Sequence, residues 1–184
     1  MTSQKSSTRI YDLLLKGGRV IDPANNVDGL LDVAIVGRHI ARVAKDISPQ
    51  DSRRTADVSG LVVAPGLIDL HAHFYGYEAA VLPDAHCLPE GTTTAVDVGG
   101  SGHLTFDDFD QTIISRSRTN VFALLNIAGE GMVGLPEQDL EGMSIDLTSA
   151  KIAQRPDRIV GVKVAHYRGP GWQPLDRGVQ AAEN

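Results

Sequence analysis

After Pro65 the sequence settles into one repeating texture, and this limits the fold more than composition does. Four apolar runs, GLIDLHAH (66–73), TTTAVDVGG (92–100), NVFALLNIAG (120–129) and RIVGVKVAHY (158–167), alternate with longer polar stretches. Strands buried on both faces read as continuous apolar runs, and alternation with helices builds a parallel sheet covered by helices. FDDFDQTIISRSRTN and SIDLTSAKIAQRPD have helical spacing, with Thr105 or Asp107 as cap for the first and Ser144 or Asp146 for the second. A complete (β/α)8 barrel takes roughly 250 residues, about 30 per βα unit. Residues 64–184 hold four such units. Two architectures therefore fit the α/β pattern: an open four-stranded domain, or the first four units of an incomplete TIM-like barrel.

Before Pro65 the texture is different. YDLLLKGG, RVID, LLDVAIVG and HIARVAKDI are short strand-like segments punctuated by Gly17-Gly18 and Gly37-Arg38. Residues 10–63 read as a small antiparallel β unit, and residues 1–9 as a polar, disordered lead-in. The resulting division is 1–9, 10–63 and 64–184.

Two places in the second part carry chemistry. Side chains alternate faces along a strand, so His71 and His73 point the same way, joined by Asp69 if the strand is regular. Their separation along a strand is about 6–7 Å, short enough for both to reach one ion. They sit at the carboxyl end of a parallel strand, where open sheets and barrels bind ligands. Lys163 lies between Val162 and Val164, a poor setting for an ammonium ion. It either extends its amine to water at the strand end or loses its proton and becomes nucleophilic, able to take up carbon dioxide as a carbamate. Three positions separate His166 from Lys163, so it faces the opposite way unless the strand ends between them; a structural role suits it, with a substrate-facing role as the alternative. Tyr167 and Arg168 follow in the loop where substrate groups are met; Arg168 could pair a carboxylate. His103, in GGSGH, is a further candidate for the pocket rim. His39, in a turn, and His86, in a helix, carry no assigned role. Gly99-Gly100-Ser101-Gly102 lacks the third glycine of a dinucleotide fingerprint.

Composition excludes several classes. A formal net charge of −6 offers no basic field for nucleic acid or an anionic membrane. No apolar run approaches the ~20 residues of a membrane span, and no secretory signal opens the chain. The single cysteine, Cys87, cannot make an intrachain disulfide and suits a small core residue in a reducing cytoplasm.

VVAPGLIDLHAHFYG resembles the first barrel strand of the amidohydrolase superfamily, the group that contains dihydroorotase, hydantoinase and urease. TNVFALLNIAGEGMVG and IVGVKVAHYRGP resemble the third and fourth strands of its dihydroorotase-like amidohydrolase/deacetylase branch, whose carboxylated lysine falls where Lys163 stands. The resemblance implies a small β-sandwich segment over 10–63, followed by the N-terminal half of a metallohydrolase barrel. It implies His71 and His73 on the more buried metal and Lys163, as a carbamate, bridging two divalent ions, zinc first with other transition metals compatible. Asp69 would stand behind them, fixing an imidazole tautomer or bonding to backbone. Such a site activates a hydroxide against an amide or ester carbonyl of a small, acidic molecule. The family's two further histidines and its general-base aspartate would lie beyond Asn184. A non-catalytic assembly protein on the same scaffold is the alternative, and a homo-oligomer stays open.

Overall fold

The computed structural model describes residues 9–184; residues 1–8 of the expected disordered lead-in lie outside the described residues. The chain divides into two compact units at Pro65 and Gly66.

The first unit is one five-stranded sheet: β1 (Leu13–Asp22), β2 (Val27–Val36), β3 (His39–Ala44), β4 (Thr55–Asp57) and β5 (Val62–Val63). β1, β2 and β3 form the expected antiparallel meander, and His39 opens β3 rather than lying in the turn. β4 and β5, however, pair parallel to β1. The expectation of a wholly antiparallel unit thus fails on one connection. Residues 45–54 carry the chain past β1 to its free edge instead of folding back as a hairpin beside β3. Gly17, at φ +82°, forms a bulge in β1, and its N–H reaches the buried Asp32, which also takes Lys16 Nζ and the Ile47 N–H at 2.9 Å each. Three donors, one of them a cation, make that buried carboxylate tolerable.

The second unit has β6 (Leu67–Ala72), β7 (Thr92–Gly102), β8 (Asn120–Asn126) and β9 (Ile159–Lys163) in one parallel sheet, ordered β6-β7-β8-β9. Each strand pairs with its predecessor in sequence. Doubly wound sheets reverse strand order at a switch point, whereas barrels add strands sequentially. Of the two architectures that fit the sequence, this order favours barrel units. The helices are α1 (Pro83–Cys87), α2 (Phe106–Thr112), α3 (Ile145–Gln154) and α4 (Gln173–Glu183). Phe106 and Phe109 of α2 are fully buried against Val121, Ala123 and Leu125 of β8, with Cys87 in the same core. The cap of α3 is Ser144, whose hydroxyl accepts the Leu147 N–H. Thr105 precedes α2 without capping it; its hydroxyl accepts the Gly102 N–H and donates to the Glu130 carbonyl. Among the described residues no helix is long and apolar enough to cross a membrane.

Candidate metal centre

The carboxyl ends of β6, β8 and β9 open onto a pocket of about 1120 Å³, and six of the residues singled out in the sequence line it: His71, His73, Lys163, His166, Tyr167 and Arg168. His71 is the penultimate residue of β6, and His73 lies one position beyond its end. Their rings meet edge-on, 5.4 Å between centroids at 89°. His71 is exposed, while His73 is half-buried and stacks obliquely against Tyr77, 5.4 Å away. Burial, reinforced by the positive potential of His71, Lys163 and His166, holds the His73 imidazole below its ordinary range and so neutral at pH 7. Its Nδ1 is buried and has no hydrogen-bond partner among the described residues.

Lys163 ends β9, in register with Asn126 of β8. Its position depends on a glycine two strands away. Gly99, at φ +83°, comes so close that a Cβ there would stand 2.5 Å from Lys163 Cγ. The lysine stem runs through the space that this missing side chain leaves.

Two sequence candidates are elsewhere. Asp69 is not among the residues that line the pocket. Its carboxylate accepts the His71 backbone N–H at 3.0 Å, so it shapes the strand end rather than meeting an imidazole. His103 is not at the pocket rim. Its ring lies against Gly129 and faces Thr148 of α3, with Nδ1 3.5 Å from the threonine hydroxyl. Burial lowers its pKa too, which suits a packed, neutral imidazole.

Two buried acidic residues at the site have no counterpart among the sequence candidates. Asp97, in β7, is fully buried, and its two oxygens accept the Phe74 and Gly100 backbone N–H groups at 2.7 Å each. It therefore ties β7 to the segment just after His73. Burial raises its pKa to about 6, against the pull of the Phe74, Gly100 and Tyr75 N–H groups and Lys163. A lone carboxylate in a valine run carries the same signal that drew attention to Lys163, and could have been found by it. Glu137 lies in a 3₁₀ turn, Leu135–Gln138, and is buried among Asn126 and His166. Nothing in the loop sequence GLPEQ sets it apart from a surface glutamate. His166 itself is brought into the pocket because β9 ends at Lys163, which releases the strict alternation of faces.

Among the described residues no three His, Cys, Asp or Glu side chains cluster as an ion site. The donor set is two imidazoles and a lysine amine. A neutral His73 with an unpartnered buried nitrogen fits half of such a site, since a metal ligand must offer a free lone pair.

No family model matches the chain. It is 33% identical over 162 residues to a deacetylase of Enterococcus faecalis, covering 86% of this chain and 42% of that protein. Over 146 residues it is 33% identical to a deacetylase of Agrobacterium fabrum, covering 74% and 36%. A dihydroorotase of Streptococcus thermophilus is 31% identical over 162 residues, covering 78% and 38%. Among solved structures, an adenine deaminase superposes with a TM-score of 0.79 at 29% identity, covering 94% of this chain and 47% of that one. A dihydroorotase gives the same TM-score at 26% identity, covering 93% and 48%. The chain thus spans less than half the length of these relatives. A sequentially ordered parallel sheet with an HxH pair and a strand-end lysine defines an amidohydrolase-type scaffold. The chain belongs to the amidohydrolase superfamily.

Proposed function

We propose that this chain carries the HxH–lysine half of a metal-dependent amidohydrolase centre, acting on a C–N amide bond of a small molecule in the manner of a deacetylase or dihydroorotase. The observation that carries the reading is the convergence of His71, a neutral His73 with a free buried Nδ1, and Lys163 on one pocket at the carboxyl ends of parallel strands. The names of the relatives support the reaction class.

His71 and His73 would hold the first divalent ion. Lys163, as a carbamate, would bridge to a second, and zinc suits this mixed donor set. Such ions supply Lewis-acid activation of a carbonyl and of water. The rest falls to the chain. Asp97 holds the backbone beyond His73, fixing how the second imidazole enters the pocket. Gly99 leaves the space that the Lys163 stem occupies on its way to the pocket. Lys163 must shed its proton before it can take up carbon dioxide. Arg168, exposed on the pocket wall, provides a planar cation for an acidic substrate.

The carbamate is directly testable. Protein equilibrated with ¹³C-bicarbonate and zinc should show a carbamate carbon resonance that is missing from Lys163→Ala. Its absence from the wild-type protein would remove Lys163 from the metal role.

A further inference from the structure

Two acidic residues line the pocket and the metal reading uses neither: Glu78 is exposed, and Glu137 is buried. Glu137 has a side chain only 3% exposed, yet among the described residues no lysine or arginine pairs with it. Its oxygens accept from His166 Nδ1 at 3.1 and 3.2 Å and from Asn126 Nδ2 at 3.2 Å. Asn126 is itself fixed from both sides, donating to the Gly99 carbonyl and accepting the Ala128 N–H. A hydrogen-bonded line therefore runs from β7 through the end of β8 to the imidazole after β9. The neighbouring Gln138 adds a second hold: its Nε2 donates to the His166 carbonyl at 2.7 Å, and its Oε1 accepts the Arg168 N–H at 2.9 Å.

His166 is held against its backbone preference. It stands at φ +62°, in the left-handed region that non-glycine side chains seldom adopt. Glycine would relieve that strain, and a glutamine at 137 would satisfy Asn126 without burying a charge. Neither local economy is taken. Backbone strain and a buried carboxylate converge on one side chain, whose ring is 55% exposed and lines the same pocket as His71, His73 and Lys163. In the neutral ring, donation of Nδ1–H to Glu137 leaves Nε2 as a free acceptor on the pocket side.

We propose that His166 is a substrate-contacting residue of this pocket, accepting an N–H of an amide substrate at Nε2, and that Glu137 is its positioning residue. The proposal rests on the amidohydrolase reading of the pocket. It deepens that reading by naming a group that tells an amide from its ester isostere, which has no N–H to give.

The experiment uses zinc-loaded protein, N-acetylglycine as the probe, and O-acetylglycolate as its ester isostere. ¹⁵N NMR of the imidazoles should find His166 as the Nδ1–H tautomer. N-acetylglycine should shift its Nε2 resonance, and should bind about tenfold more tightly than the ester. In His166→Phe that preference should disappear while zinc content holds. In Glu137→Gln the tautomer should become mixed and the preference should fall. The proposal is overturned if His166 is the Nε2–H tautomer. It is equally overturned if the wild type shows no amide preference, or if His166→Phe keeps it. Loss of zinc binding in the wild type would instead strike the metal reading, and the tautomer alone would then decide the positioning claim.

Discussion

Asp97→Ala isolates the buried carboxylate that anchors the HxH segment, and its effect should depend on pH in a calculable way. The substitution strips the acceptor from the Phe74 and Gly100 N–H groups, both buried. Each unsatisfied donor costs about 1–3 kcal/mol, so the loss is about 2–6 kcal/mol before any charge effect. Against this stands the penalty of burying the charge, which raises the Asp97 pKa from 3.8 to about 6. A raised folded-state pKa means that the folded protein binds the proton more tightly than the unfolded chain. The stability this contributes is complete below the unfolded value and is lost as pH rises through the folded one. Between about pH 4.5 and about pH 7.5 the wild type should therefore lose about 2 kcal/mol from this group alone. Alanine has no such dependence. Urea unfolding of both proteins in chelator across that range should show the cost of the substitution shrinking by about 2 kcal/mol as pH rises. A difference that stays flat or grows with pH would refute the assigned role of burial at Asp97.

Two further outcomes follow from the same geometry. Gly99→Ala places a Cβ 2.5 Å from Lys163 Cγ in a backbone conformation at φ +83°. It should cost about 2–5 kcal/mol by denaturation, combining left-handed strain with overpacking, and should weaken metal retention by displacing the lysine. Arg168→Ala should leave melting temperature and metal content unchanged and weaken binding of N-acetylglycine about tenfold, measured by calorimetry; unchanged affinity would remove Arg168 from substrate recognition.

The four strands after Pro65 were legible because each is an uninterrupted apolar run, and a strand buried on both faces has no other way to appear. His71, His73 and Lys163 were legible for a related reason: polar groups at the ends of such runs need a purpose. What escaped depended on contacts distant in sequence. Asp69 was read as either fixing an imidazole or bonding to backbone, and only the folded strand end shows it taking the His71 N–H. His103 was read as a loop residue free to face the pocket, but α3 brings Thr148 against its ring. Glu137 becomes distinctive only when residues 126 and 166 converge on it. The parallel pairing of β4 and β5 with β1 is set by a crossover whose direction no local periodicity encodes.

The most direct measurement of the central claim is transition-metal content per chain, by elemental analysis of purified protein after exposure to zinc and removal of excess. The account predicts at least about one tightly held ion per chain, lost in the His71→Ala/His73→Ala double variant and reduced in Lys163→Ala. A wild-type protein without metal, or a double variant that retains it, would contradict the account.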